Sequence, residues 1–343
     1  MVPPFHLDEK DCRDDLWPLT LARPVADLRF GIMTVRERWK ALCGTSLTEG
    51  AGTAVPANLI PVDLGPVSDP PGEWQSLSHR MIERPWQIPV HNAWAIRFDF
   101  RLLTEGRESE QIPDTVRVSE PGSVFIEPGA RLEHCVLNAS EGPIYIGRDA
   151  LVMDGAMLRG PVAVCEGAVV KMGATLYGGT TVGPSCIVGG EVKNSVIMDF
   201  SNKAHHGYLG DSVVGSWCNL GAGTSVSNVR NTGGPVKVWN MSRGLFEEAG
   251  AKCGMVMGDH CRTAIDTSFN SGTVVGLSSN VFGGKALSPK FIPSFSWGLE
   301  GGVYELDKAL RDIGKWMAFK GMSPDPETLS IIEESYKNKQ KKP

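Results

Sequence analysis

No run of apolar residues in this 343-residue chain approaches the roughly 18 that a membrane span requires. The first residues, MVPPFHLDEKDCRDD, lack the basic start and apolar core of a secretory signal. Basic runs are missing too, apart from the closing KNKQKKP, which reads as a solvated tail, and the formal net charge is −5. Nucleic acid and membrane surfaces are therefore not expected as partners. The eight cysteines include no CxxC pair, so no zinc site or other metal centre is implied. They read as reduced thiols of a cytoplasmic protein.

Glycine is the residue in excess, with 40 copies concentrated after residue 120. From Ile146 a six-residue repeat runs without a slip: IGRDAL VMDGAM LRGPVA VCEGAV VKMGAT LYGGTT VGPSCI VGGEVK. The first position is aliphatic throughout, from Ile146 and Val152 to Val182 and Val188. The fifth is small or β-branched, as at Ala150, Ala168 and Cys186. The phase resumes at Tyr208, Val214, Leu220 and Val226, and again from Met257 to Val281. A period of six fits neither a helix nor an alternating strand. It fits short strands joined by tight corners, stacked as triangular coils around one continuous core. Glycines at the second position, such as Gly147, Gly183 and Gly276, are expected to supply unusual backbone angles at those corners. Between Ser227 and Cys253 the phase is lost, and Trp239, Leu245 and Phe246 predict an ordered insertion.

The flanks differ. TVRERW is a capping box, Thr34 with Glu37, opening a helix through Ala41, and HNAWAIRFDFRLL predicts a second helix. After Gly301, Val303, Leu306, Leu310, Ile313 and Met317 share a helix face, and Asp325-Pro326 opens another helix. These last helices are expected to cover the end of the solenoid. The chain thus divides into residues 1–112, 113–300 and 301–343.

With the run YLGDSVVGSWCNLGAGTSVSN added to the hexads, the chain resembles the bifunctional enzymes that make UDP-N-acetylglucosamine, the GlmU-like family. In that family a uridylyltransferase precedes a glucosamine-1-phosphate acetyltransferase. The chain is more similar still to a divergent bacterial branch of sugar-phosphate nucleotidyltransferases, through LTLARPVADLRFGIMTVRERW, GPIYIG, RGPVAVCEGAVVKMGA and FIPSFSWG. The resemblance implies a mainly β, left-handed parallel β-helix with a shortened α/β nucleotidyltransferase-like N-terminal region. It also implies a homotrimer, with a sugar phosphate and acetyl-CoA as small-molecule partners.

Residue by residue, the resemblance implies His205, three before Tyr208, as general base. It implies Lys193, Tyr208, Asn219 and Asn228 as sugar-phosphate contacts and Ala222 beside acetyl-CoA, with Lys237 near a further sugar-binding lysine. His206 falls where the family does not require histidine. An imidazole with its ordinary pKa near 6.5 suits removal of a proton from an attacking amine at neutral pH. Asn219 and Asn228 can also be read as corner asparagines tolerating unusual backbone angles. His260 reads as a solvent-facing corner residue.

Two departures stand out. The family's phosphate-binding arginine, one coil before the histidine, is absent from GATLYGGTTVG, where Tyr177 lies near the place. The Gly-rich GxGTRM loop and following PK pair survive only as an echo, with Arg13, PLT, Arg23 and Pro24. The nucleotidyltransferase half therefore reads as degenerate. Asp14, Asp15 and Asp27 read as solvated acids, with magnesium relevant only if that half is active. The leading expectation is a CoA-dependent N-acetyltransferase on an amino sugar phosphate. The alternative is a non-catalytic trimeric scaffold or sugar-nucleotide-binding regulator.

Overall fold

The computed structural model describes residues 4–44, 47–63, 78–284 and 287–339. Most of the Pro-rich VDLGPVSDPPGEW and the end of the basic tail lie outside them. From Arg117 the chain winds as a three-sided parallel β-solenoid. The first face runs from Arg117–Ser119 through Glu191–Lys193 to Tyr208–Gly210, and Ser225–Val226 and Ser268–Phe269 continue it. The second face holds nine strands, from Val124–Ile126 to Phe291–Ile292. The third runs from Arg131–Leu132 to Asn202–Lys203, then through Asn219 to Arg262–Thr263, Asn280–Val281 and Ser296–Trp297. The first position of the hexad fills the interior, with Ile146, Val152, Leu158, Val164, Val170 and Leu176 all buried in one core.

Two expectations about the repeat change. Gly147, Gly183 and Gly276 do not adopt left-handed angles; those fall two residues later, at Asp149, Ser185 and Ser278. Glycine is needed instead because the next coil passes too close. A Cβ on Gly276 would lie 2.3 Å from the Ser294 nitrogen, and one on Gly183 2.6 Å from the Ile197 oxygen. Tyr208 is likewise not an interior residue. It pairs with Glu191 on the outside of the first face, and Leu209 takes the buried position beside Val192.

Which face is covered follows from the strand sequences. Along the first face RVS and EVK alternate polar, apolar and polar, and MLR buries only its central Leu158, so one side meets water. Along the second face VFI, IYI and VAV are apolar on both sides. The N-terminal residues supply the missing layer. They comprise parallel strands β1 (Phe5–Asp8) and β2 (Thr53–Pro56), helix α1 (Val35–Cys43), the antiparallel pair β3 (Leu59–Asp63) and β4 (Ser78–Met81), and helix α2 (Gln87–Thr104). Their core, including Phe5, Leu16, Leu28, Trp39 and Ile88, is continuous with the outward residues Val196, Val213, Val256 and Val274.

Helix α1 starts on the expected capping box, in which Thr34 and Glu37 satisfy each other's backbone amides. Helix α2 buries Ile88, Asn92, Ala95, Ile96 and Asp99, one stripe at helical spacing that includes two polar residues. Asn92 accepts from Gly31 N at 2.6 Å and donates to Gly179 O at 2.7 Å, joining loop, helix and solenoid.

The insertion after Ser227 is an antiparallel hairpin of Lys237–Asn240 and Leu245–Glu248. It extends the same outer layer: Val236 and Val238 are fully buried, Trp239 stacks on Phe291 at 5.5 Å, and Glu247 accepts from Arg84 at 2.7 Å.

Helices α3 (Leu306–Ala318) and α4 (Pro326–Lys339) form as the sequence predicts, Asp325 accepting from the Thr328 amide at the start of α4. They do not close the end of the solenoid. They lie along the corner between the second and third faces, where Ala309, Ile313, Met317 and Ile332 pack with Leu277, Phe295 and Trp217. The left-handed angles at Phe295 and Trp217 place large aromatic rings at that corner, and the apolar side of α3 covers them.

His260, expected at the surface, is buried beneath this layer with only 3% of its area exposed. Burial first, then the positive Arg262 and Arg23, push its imidazole pKa down to about 3.

Candidate functional site

The first face is the one that neither terminal layer covers, and three of the expected contact residues meet at its edge. Lys193 projects outward from Glu191–Lys193, with its ammonium 5.8 Å from the centre of the Tyr177 ring. Tyr208 lies one coil further, its ring folded over Gly210 and its hydroxyl pointing toward the turn beyond. There Asn228 Nδ2 donates to the Tyr208 hydroxyl at 3.1 Å and also to Asp211 Oδ2. The other carboxylate oxygen of Asp211 accepts from Asn194 Nδ2 at 2.7 Å.

Each polar group in this network is therefore oriented by a neighbour. Because the Tyr208 oxygen accepts from Asn228, its own proton remains free to donate. Burial, and then the Asp211 and Glu191 carboxylates, raise the Tyr208 pKa, so the phenol stays protonated through the neutral range. Asp211 belongs to this network although the family comparison did not single it out. Its signal was the final residue of YLGD, and Asn194 and Asp211 are the left-handed corner residues that bring the two side chains together. Neither Asn219 nor Asn228 has such an angle, so neither is the turn-forming asparagine considered from sequence.

His205 and His206 sit exposed on the corner between the third and first faces, immediately before Tyr208. Ala222 occupies the same corner one coil on, its carbonyl accepting from the Asp266 amide at 2.6 Å. Asn219 is elsewhere. It lies on the third face in a polar ladder with Asn202 and Arg262, beneath the C-terminal helices; Lys320 Nζ donates to Asn202 Oδ1 at 3.2 Å. Within one chain the third face thus separates Asn219 from Tyr208 and Asn228. Lys237 begins the inserted hairpin and is exposed.

The N-terminal region carries a different surface. A cavity of about 270 Å3 is lined by Asp8, Asp11, Cys12, Ala54, Pro56, Asn58 and Met81, at the carboxyl ends of β1 and β2. That is where an open parallel sheet ordinarily binds a ligand, but these walls hold carboxylates and no lysine or arginine. Such a lining repels a triphosphate. The arginines that echo the Gly-rich loop have other partners, Arg13 with Glu9 and Arg23 with Asp259 at 2.8 Å. Asp27 and Asp15 are not simply solvated: Asp27 pairs with Arg36 at 2.7 Å, and Asp15 lies 3.4 Å from Arg84 and from Arg243.

Known proteins match parts of the chain. A family model for sugar nucleotidyl transferase matches residues 6–53. The bifunctional protein GlmU of Methanocaldococcus jannaschii is 37% identical over 117 residues, covering 34% of this chain and 26% of that protein. The bifunctional sugar-1-phosphate nucleotidylyltransferase/acetyltransferase of Sulfurisphaera tokodaii is 30% identical over 207 residues, 60% of this chain and 45% of that one. Over these stretches the chain is similar to GlmU-type bifunctional proteins. The matched stretches span between a quarter and a half of the length of these two relatives. Among solved structures, the UDP-N-acetylglucosamine acyltransferase of Francisella novicida matches 67% of this chain and 85% of its own, at 13% identity and a TM-score of 0.27. No helix among the described residues is long and apolar enough to cross a membrane.

Proposed function

We propose that this chain is a CoA-dependent N-acetyltransferase acting on an amino sugar phosphate of the glucosamine-1-phosphate type. The observation that carries the reading is the oriented network of Tyr208, Asn228 and Asp211 beside Lys193, one turn from His205, on the uncovered face. Lys193 supplies positive charge and Tyr208 a free hydroxyl proton to a phosphate. His205 accepts the proton that the amine loses as its nitrogen attacks the thioester carbon. The tetrahedral intermediate then collapses, the carbon–sulfur bond breaks, and the proton passes to the departing thiolate of CoA. Ala222, with no bulk beyond its Cβ, leaves room for the acyl donor at the same corner. Asn219 contributes only if a neighbouring copy faces this site, as in a homotrimer. The acid-lined N-terminal cavity, which offers no cationic side chain to a triphosphate, supports a degenerate nucleotidyltransferase half, and magnesium would have a role only if that half were active.

The test is CoA release from acetyl-CoA with glucosamine 1-phosphate, comparing wild type with His205→Ala. Loss of release in the variant supports the reading. Equal background rates in the two proteins would sink it for that acceptor. A second reading, a sugar-nucleotide-binding scaffold without catalysis, is favoured by one observation: near the place of the family's phosphate-binding arginine stands Tyr177, with the Lys193 ammonium over its ring. Binding of the sugar phosphate with no turnover would establish it.

A further inference from the structure

The corner that carries His205 is tied from inside the solenoid by a charged residue in an aliphatic position. Along the third face the inward residues are Leu132, Val152, Val170 and Val188, and then Lys203, in register with Val188. The next coil returns to Leu220. Lys203 is only 2% exposed. Its ammonium donates to Gly189 O at 2.9 Å and to His205 O. The side chain thus runs through the core and ends on the backbone of two successive corners, one of them that of the general base.

An ammonium so placed costs stability, because the charge is desolvated and its partners are carbonyls and not a carboxylate. Burial alone lowers its pKa to about 8. A residue that serves only to fill the coil would be aliphatic here, as in the coils to either side. The corner from Ala204 to Gly207 exposes both histidines and contains a glycine with a φ of 120°. Besides Lys203 it is held by Gly223 N donating to His206 O at 3.1 Å and Glu191 N donating to Gly207 O at 3.3 Å, which leaves the His205 carbonyl to the lysine.

We propose that Lys203 is a positioning residue, which fixes the Ala204–Gly207 corner from within the solenoid and so sets the place of the His205 imidazole. This role rests on the general-base reading of His205 given above. The reading concerns chemistry at the imidazole, whereas the inference concerns what holds its backbone, so the two can fail separately.

The experiment uses the full chain as Lys203→Met, which keeps the buried volume and loses the donors, and Lys203→Gln, which restores donors. Thermal melting, hydrogen exchange at the amides of residues 204–207, and steady-state acetyl transfer are measured for each beside wild type and His205→Ala. The expected result is a Lys203→Met protein melting at or above wild type, with exchange at the corner at least tenfold faster. Its kcat falls at least tenfold while the KM for acetyl-CoA stays within twofold, and Lys203→Gln recovers part of the loss. A Lys203→Met protein with wild-type kcat overturns the inference and leaves the acetyl-transfer reading intact, provided His205→Ala is inactive. A melting temperature that falls in step with kcat also overturns it, by making Lys203 a structural residue. If wild type itself shows no turnover, the acetyl-transfer reading fails, and unchanged corner exchange in Lys203→Met would overturn this inference as well.

Discussion

Arg38 of α1 and Asp99 of α2 form a fully buried ion pair, in which both carboxylate oxygens accept from the guanidinium at 2.7 Å. Asp99 also accepts the amides of Ile32 and Met33, at 2.7 and 3.1 Å, and Arg38 donates to Phe30 O at 2.8 Å. The pair therefore holds the loop from Phe30 to Met33 as well as two helices. Asp99→Ala leaves the buried guanidinium without its counter-charge, held only by the Phe30 carbonyl and ring, and two buried amides without partners. The expected loss is about 3–5 kcal/mol, read as a lower urea midpoint with the first-face network unchanged.

Tyr208→Phe removes the hydroxyl that accepts from Asn228 and faces the open side. Since the ring is only partly buried and its packing is kept, the melting temperature should move little. The KM for the sugar phosphate should rise about tenfold, the worth of one charge-assisted hydrogen bond of about 1.4 kcal/mol. An unchanged KM would remove Tyr208 from the phosphate contact.

Acid should destabilise the protein through His260. Its pKa is lowered from 6.5 to about 3 in the folded state, where Arg23 and Arg262 face it and Asp259 is engaged by Arg23. Below pH 6.5 the unfolded chain takes up a proton that the folded chain refuses, so stability rises with pH across this window and falls on acidification. The slope from this one group approaches ~1.4 kcal/mol per pH unit. His260→Asn, which tolerates the left-handed φ of 58°, should flatten the pH dependence of urea-derived stability by one proton between pH 4 and 6.

Two glycine substitutions separate close approach from backbone angle. Gly276→Ala places a methyl against the Ser294 backbone, in a coil whose spacing is set by Gly276 N donating to Ile292 O at 2.8 Å. Gly173 has a left-handed φ of 65° and open space around it. Gly276→Ala is expected to need displacement of a coil and cost about 1–3 kcal/mol, with strand displacement visible in the variant's structure. Gly173→Ala should cost about 1–2 kcal/mol with no displacement. Calorimetry and a structure of each variant check the pair.

The coils were legible because one interior residue per strand repeats through them, and both capping signals were local. Tyr208 was assigned to the interior because it shares the six-residue phase of Val214, Leu220 and Val226, but the step from Leu209 to Val214 is five residues; only strand pairing shows that Leu209 faces inward. The covering of the second face was written in VFI, IYI and VAV, which are apolar at every position. His260 escaped because its burial comes from segments more than forty residues away, those holding Arg23 and the helix residue Trp316 that stacks near Arg262. Lys193, Tyr208 and Asn228 were named from the family resemblance, but the Asp211 carboxylate and the Asn194 amide that complete the network around Tyr208 and Asn228 lie at corners a linear repeat does not connect.

Isolated solenoids unravel from their ends, because each coil is held only by the coils above and below it. Here the N-terminal segment runs lengthwise along the second face, gripping the early coils through Asn92 and Thr181, the middle through Arg29 and Asp199, and later ones through Arg23 with Asp259. A splint fixed at several heights couples rungs that would otherwise melt in sequence. Fraying at one end must then either break the splint or lift it from every rung, so the stack should lose its structure in one cooperative step.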